Sequence, residues 1–325
     1  MPTIRSTAFA VAAGLAATLA APVPSAQAQQ WPQRPVKFIV TLGAGSGIDI
    51  GTRLFADRLS KRWGHPVVVE NRPGGDAQVA ISAVLSANDD HVLLASPSSS
   101  FTAHSYMYKN LSYKPEDLVP IARISNTIIA MAVPASLDVK SLADFVALAR
   151  AKPGELNYAG TTGTIDFLFA GFLKNANLNI SKVPYRNQVE AANDLATGRI
   201  HINETAYAIV QPRVQAGSIK VVAITNSARA PNLPDIPTVS EAGFPDLNLD
   251  GLNGFLGPAS VPKELRERIA ADVRAVATED PVIAERLTLT GQIFNLGGPA
   301  EFHAAIEDQR SRVGKAAAAL GSKPE

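Results

Sequence analysis

The sequence predicts an α/β fold of two lobes with a ligand cleft between them, and three observations lead there. At 325 residues, 46% of them hydrophobic, the chain can bury more than one core. Strand, helix, strand, helix, strand follow one another from residue 36 to residue 95, and the same order restarts near residue 128. Alternation of this kind builds a parallel sheet with helices on its faces. The third observation is an internal likeness. Gly45-Ser46-Gly47-Ile48-Asp49-Ile50 and Thr162-Gly163-Thr164-Ile165-Asp166-Phe167 share a register: small or hydroxyl-bearing residues, then Ile-Asp, then an apolar helix start.

In the first unit, Val36-Lys37-Phe38-Ile39-Val40 reads as a buried strand running into the glycine-rich loop Gly43-Ala44-Gly45-Ser46-Gly47. Ile50, Leu54, Leu59 and Trp63 fall near helical spacing, and Gly64 stands where that helix would end. Val67-Val68-Val69-Glu70 is the next strand, closed by the turn Asn71-Arg72-Pro73-Gly74-Gly75. A helical stretch over 79–85 then leads to the strand Val92-Leu93-Leu94-Ala95.

The second unit opens on the strand Ile128-Ile129-Ala130-Met131-Ala132-Val133, with a helix over 142–151 begun by Ser141. A short strand, Leu156-Asn157-Tyr158-Ala159, feeds the loop Gly160-Thr161-Thr162-Gly163-Thr164 and a helix over 166–175. A strand ending at Pro184 and a helix over 188–197 follow, with Gly198 as the stop. The strands Ile200-His201-Ile202-Asn203 and Val221-Val222-Ala223-Ile224-Thr225 complete the unit. A proline-punctuated segment (231–245) leads to Gly254-Phe255-Leu256-Gly257-Pro258, and two helices, after Pro262 and after Pro299, finish the chain. Lobe one is expected from 29–128 and 252–325, and lobe two from 129–251.

The first thirty residues read as an address. Arg5 precedes an apolar, alanine-rich run, and Ala26-Gln27-Ala28 has the small-x-small form of a signal peptidase site. The run is shorter than the roughly 20 residues a spanning helix needs. Cleavage is expected after Ala28, giving an exported, soluble chain with equal numbers of acidic and basic residues. A net charge of +1 argues against nucleic acid as a partner. The absence of cysteine removes disulfides, thiol nucleophiles, cysteine-bound metals and a lipobox anchor.

Each of the two like loops lies between a strand and a helix. Free N–H groups and the positive end of the helix dipole make such a place attractive to an anion. Gly45 and Gly47 allow close approach, and Ser46, Thr161, Thr162 and Thr164 offer hydroxyl donors. Two such loops facing one cleft suit a ligand with a carboxylate at one or both ends. Asp49 and Asp166 cap their helices, order water, or accept hydrogen bonds from ligand hydroxyl or amino groups. Ser96 and Ser98 follow a strand of the first lobe and are placed to line the cleft. Arg186, on another strand-to-helix loop, could pair with a carboxylate.

Enzyme readings are weaker. Gly43-x-Gly45-x-Gly47-x-x-x-Gly51 with Glu70 about 20 positions on looks like a dinucleotide-binding unit. Strict Gly-x-Gly-x-x-Gly fails, because the last glycine falls on Ile48 or Ile50. No Gly-x-Ser-x-Gly elbow is present, and the five histidines show no metal-ligand spacing. His65 and His104 are expected at the solvated surface, and Phe167, Phe169 and Phe172 in the core. No cofactor and no metal are called for.

Longer motifs then narrow the choice. Trp31-Pro32-x-Arg34-Pro35-Val36, the glycine-rich loop ending in Asp49 with Arg53 beyond, and Pro66-Val67-Val68-Val69-Glu70-Asn71-Arg72-Pro73-Gly74 resemble the Bug family. So do Val183-Pro184-Tyr185, Leu233-Pro234-Asp235-Ile236-Pro237-Thr238-Val239-Ser240-Glu241-Ala242-Gly243 and Gly257-Pro258. These are the periplasmic solute-binding proteins of tripartite tricarboxylate transporters. The resemblance covers essentially the whole mature chain. It implies a type II periplasmic-binding-protein fold that closes on a small organic acid, does no chemistry on it, and docks on membrane permease subunits.

By position, the resemblance carries ligand binding to Leu42, Ala44, Gly45, Ser46, Gly47, Ile48 and Asp49, and to the loop holding Thr161, Thr162, Gly163, Thr164 and Asp166. It extends to Arg186, Asn187 and Glu204. Thr41 and Leu42 stand where the family often has Pro-Phe, and the second loop looks one residue short, so a citrate-like ligand does not follow. Ile48, Ile165 and Phe167 would instead give apolar walls, favouring an aliphatic or aromatic carboxylate. A monomer is expected. The competing reading is an exported subunit that feeds a signalling receptor.

Overall fold

The computed structural model describes residues 31–160, 163–185 and 187–322, so the expected signal segment lies outside the described residues. Strand β1 (Val36–Val40) is buried on both faces, as a central strand of a helix-covered sheet must be. It pairs in parallel with β2 (Val67–Asn71) and β3 (Val92–Pro97). Helices α1 (Gly47–Trp63) and α2 (Gln78–Ala87) cover opposite faces. Ile48, Phe55 and Leu59 of α1 enter one core cluster with Phe38 and Phe255, while Ala80, Ile81 and Val84 of α2 enter another with Ile39 and Leu94.

After the short α3 (His104–Met107), β4 (Leu118–Thr127) joins the same sheet. The sequence hid this strand behind Pro120. That proline lies beyond the stretch of β4 paired on its outer side and beside a register shift on the other, where a missing N–H costs little.

The chain then crosses to a second sheet with β5 (Ile129–Pro134), α4 (Leu142–Ala151), β6 (Asn157–Gly160), α5 (Gly163–Asn175), β7 (Ser181–Pro184) and α6 (Gln188–Ala196). β8 (Asn203–Ala206), α7 (Tyr207–Gln215) and β9 (Ile219–Ile224) complete this half. Strands β8, β5 and β9 form one three-stranded sheet, β6 and β7 a two-stranded one, and a single Tyr158–Ile202 bridge joins them. The strand expected at 200–203 is thus observed three residues later, and α7 was not foreseen.

The return is β10 (Gly251–Pro258), antiparallel between β3 and β4, followed by α8 (Lys263–Glu279), α9 (Pro281–Leu289), β11 (Gln292–Gly297) and α10 (Pro299–Leu320). The full order of the first sheet is β11-β4-β10-β3-β1-β2. Sequence reading foresaw α8 and α10 but not α9 or β11.

Two features join the halves. The Asp250 carboxylate accepts from Ser227 N–H (3.2 Å), Ser227 Oγ (2.7 Å) and Asn126 Nδ2 (3.4 Å), tying one crossing segment to the other. Helix α10 packs Phe302 and Ile306 into the first lobe and then runs onto α5 of the second. There the helices touch so closely that a Cβ on Gly171 would lie 2.7 Å from that of Ala316. Among the described residues no helix is long and apolar enough to cross a membrane.

Candidate functional site

The β1–α1 loop brings an uncapped helix end to the inter-lobe cleft. Ser46 is the N-cap residue by its extended backbone, yet its side chain makes no cap bond, and its buried Oγ has no partner. The first bond of the i→i−4 type runs from the Ile50 N–H to the Ser46 carbonyl, so the amides of Gly47, Ile48 and Asp49 precede the helical ladder. Gly45 turns the loop at φ +82°, a region that favours glycine. Asp49 holds this shape from behind. Its buried carboxylate accepts from Gly45 N–H (2.9 Å), Arg53 Nε (3.0 Å) and Asn71 Nδ2 (2.9 Å). Burial raises the Asp49 carboxyl, but the bonds from Arg53, Gly45 and Asn71 outweigh it and hold the group below its ordinary range.

The α5 end is arranged differently. Thr161 and Thr162 lie outside the described residues. Gly163 approaches the Ser99 carbonyl of the first lobe so closely that a Cβ there would sit 3.2 Å from it. Thr164 is fully buried, with its Oγ1 2.7 Å from that of Thr102. Asp166 pairs with Lys182 Nζ at 2.6 Å. The Lys182 stem crosses Gly160, where any Cβ would fall 2.2 Å from Lys182 Cε. Glu204 is buried on β8, and its Oε2 has no partner. Burial, and secondarily the Asp166 carboxylate, push its carboxyl well above the usual range.

Between the lobes lies a cleft of about 590 Å³, within the usual size of small-molecule sites. One wall carries Leu42, Gly45, Ser46, Gly47 and Ile48 with Ser99 and Ser100; the other carries Ile129, Ile165, Val189, Ile209 and Arg213. Among the described residues, Arg213 is the one charged side chain on either wall. Neutral oxygens hold its guanidinium: Asn193 Oδ1 takes Nε and Nη2, and the Ile209 carbonyl takes Nη1. A dipole end on one side, a guanidinium on the other and aliphatic surface between them form a container for a small anion with an apolar body.

Residues 52–321 match the profile of the tripartite tricarboxylate transporter family receptor. The chain belongs to this receptor family. It is 31% identical to a UPF0065 protein of Bordetella bronchiseptica, over 94% of this chain and 91% of that one. Protein BugT of Bordetella pertussis is 26% identical over 94% of each chain. Among solved structures, Rpa4515 of R. palustris, determined with adipate, superposes with a TM-score of 0.77 at 28% identity, covering 91% of this chain and 100% of that one. The receptor family's two-lobed periplasmic-binding-protein fold is thus the fold observed here.

Within this receptor fold, the residues singled out from sequence fall into three groups. Leu42, Gly45, Ser46, Gly47 and Ile48 line the cleft, and so does Ile165. Asp49, Ser96, Ser98, Thr164 and Asn187 support it from behind. Ser96 Oγ donates to the Pro97 carbonyl (2.9 Å), Ser98 Oγ donates to Gln309 Oε1 (2.6 Å), and Asn187 Oδ1 caps α6 by accepting from Val189 N–H (2.8 Å). Ala44 is exposed beside the loop, and Arg186 lies outside the described residues.

Several expectations are corrected. Phe167 packs on Tyr106 at a ring separation of 6.4 Å instead of walling the cleft. His104 is buried against Tyr113 Oη (2.7 Å), not solvated. Glu70, a ribose partner in the dinucleotide reading, is committed to Lys37 and Arg72.

Sequence reasoning missed Arg213, Asn253 and Gln292, all of which line the cleft. For Asn253 a signal existed: it is an amide inside β10, eight residues buried throughout. Asp89, Asp90 and His91 lie close enough to share a cation, but their atoms are engaged. Asp89 takes the Arg34 guanidinium at 2.6 and 2.7 Å, His91 Nε2 accepts from Gln33 N–H, and Nδ1 faces Asp90. The cluster fastens the N-terminal segment to the first lobe.

Proposed function

We propose that the protein is an exported receptor that captures a small organic acid, a mono- or dicarboxylate with an aliphatic or aromatic body, and hands it to the permease of a tripartite tricarboxylate transporter. The observation that carries this reading is the pairing of the uncapped α1 N-terminus with Arg213 across an aliphatic cleft. The adipate bound by the R. palustris relative fits the same chemistry. The chain acts as a monomer and does no chemistry on the ligand. Lobe one comprises 29–128 and 252–325 and lobe two 129–251, in keeping with β4 and β5 meeting at residue 128 and β10 beginning at Gly251. Cleavage after Ala28 precedes folding outside the inner membrane. The family match favours delivery to a transporter over delivery to a signalling receptor.

Ligand favours closure only by binding the closed form better, which an anion touching both walls does. Isothermal titration against linear mono- and dicarboxylates, with thermal shift as a screen, tests the reading. A ligand at 100 times its Kd raises stability by about 2.7 kcal/mol. Arg213→Gln should weaken the binding of the best dicarboxylate about tenfold or more. Silence of the wild-type protein across the acids would sink the proposal.

A further inference from the structure

Lobe one holds a second cavity, of about 540 Å³, that shares no residue with the inter-lobe cleft. Strand β4 separates the two. Leu118 to Pro120, where the strand starts, line this cavity, and Thr127, where it ends, lines the cleft. At about 3.3 Å per residue, the ten residues of the strand span roughly 30 Å. The cavity floor is apolar, built from Phe101, Leu118, Leu256 and Ile306. Its walls come from the segment before β4 and from the opening turns of α8 and α10.

The charged residues on those walls balance, Lys263, Arg266 and Arg310 against Glu116, Glu267 and Glu307, so a count of charges decides nothing. Depth decides it. The three glutamates are exposed at the rim, whereas Arg266 and Arg310 are half-buried toward the floor. The Arg310 side chain is 24% exposed against 46% for Glu307. Arg310 is already engaged, its Nη1 with Glu307 Oε1 and its Nη2 with the Pro115 carbonyl. Arg266 is not. Its Nε is buried without a partner, and among the described residues no carboxylate pairs with its guanidinium. A guanidinium cannot shed its charge, and buried donors in folded proteins are almost always satisfied. Its planar fork matches the two oxygens of a carboxylate. Both helices also begin at this cavity, α8 at Lys263 and α10 at Pro299, so their positive ends add to the same sign.

We propose that this cavity is a second ligand site, in which Arg266 takes the carboxylate of a small monocarboxylic acid and the apolar floor takes its hydrocarbon body. The restriction to one carboxylate comes from the rim. A second anionic group at the far end of the ligand would come out among Glu116, Glu267 and Glu307, and like charges repel it. The site stands apart from the carboxylate reading of the cleft, since neither shares a side chain with the other.

The test is NMR titration of the purified protein with 4-fluorobenzoate, followed by amide shift mapping and by the fluorine signal of the ligand. The Lys263 and Ala300 amides should move in the wild-type protein, and they should still move in Arg213→Gln, where the cleft is impaired. Arg266→Gln, checked for an intact fold by circular dichroism, should weaken this event about tenfold or more. Neutral 4-fluorobenzamide and doubly charged benzene-1,4-dicarboxylate should each bind there at least about tenfold more weakly than 4-fluorobenzoate. Shifts confined to the Gly45 and Gly47 amides would overturn the inference and leave the cleft reading standing. Millimolar 4-fluorobenzoate that moves no amide at all would overturn it as well, and so would an affinity unchanged in Arg266→Gln or matched by the benzamide. The shift map uses wild-type protein, so it decides the matter even where a variant fails to fold.

Discussion

Replacing Asp49 by alanine removes a buried carboxylate that braces the β1–α1 loop from behind. Its carboxylate is 3% exposed and accepts three hydrogen bonds, from the Gly45 amide, Arg53 and Asn71. Each bond to a buried charge is worth about 1.5–3 kcal/mol when lost. Two discounts apply. Arg53 is half exposed and recovers solvent, and Asn71 keeps a second acceptor in the Leu42 carbonyl at 3.0 Å. The Gly45 amide has no such recourse, which leaves a net loss of about 2–3 kcal/mol. With an m-value of about 3 kcal/mol/M, the urea midpoint should fall by about 0.7–1 M.

Trp63 on α1 and Trp31, with ring centroids 4.9 Å apart, report the transition by fluorescence. The pH dependence has a fixed sign. The folded-state carboxyl is held below its ordinary value, so its contribution is complete at neutral pH and disappears as pH falls through the folded-state pKa. The gap between wild type and Asp49→Ala should therefore close on acidification. A gap under about 0.5 kcal/mol at pH 7, or one that stays constant into acid, would refute the bracing role.

Two further predictions rest on burial and packing. Glu204 is pushed the opposite way, so wild-type stability should decline as pH rises above the ordinary glutamate range. Glu204→Gln, which mimics the neutral carboxyl, should melt above wild type at pH 8 and converge with it near pH 4; a lower melting temperature at pH 8 would contradict this. Gly171→Val forces α5 from α10 at the 2.7 Å approach to Ala316 and should cost about 1–3 kcal/mol. A melt unchanged from wild type would show that the two helices have room to spare.

The parallel core of lobe one was legible because it is written locally. Val36 to Val40 form a nearly unbroken apolar run, and Gly64 ends α1 in a left-handed conformation as its position suggested. The glycine-rich loop before α1 was legible for the same reason. What escaped was non-local. β4 carries Pro120, Arg123, Ser125 and Asn126, which make sense only between β10 and β11. α7 buries little beyond Tyr207 and Val210 and contains Pro212, so no periodicity announced it.

The cleft floor joins Ser125 to Gln292 and Asn253 across more than a hundred residues of chain, which no spacing rule anticipates. The aspartates show the other limit. Sequence placed Asp49 and Asp166 at helix starts but could not say which neighbours would claim them, because Asn71 and Lys182 come from later strands.

The uneven burial of the cleft walls has a consequence for descent. Leu42 and Val189, at 38% and 49% exposed, line the cleft from opposite sides without belonging to a core cluster. Substitutions at such places usually shift stability by no more than about 0.5 kcal/mol. After gene duplication a paralogue could exchange them freely under selection for a new nutrient. The buried amides of Gln292 and Asn253 have no such freedom, since Gln292 donates to the Gly47 carbonyl and accepts from Asn253, and each fixes the orientation of the next. Lineages built on this scaffold should therefore change the apolar residues on the cleft walls far sooner than the amides beneath its floor.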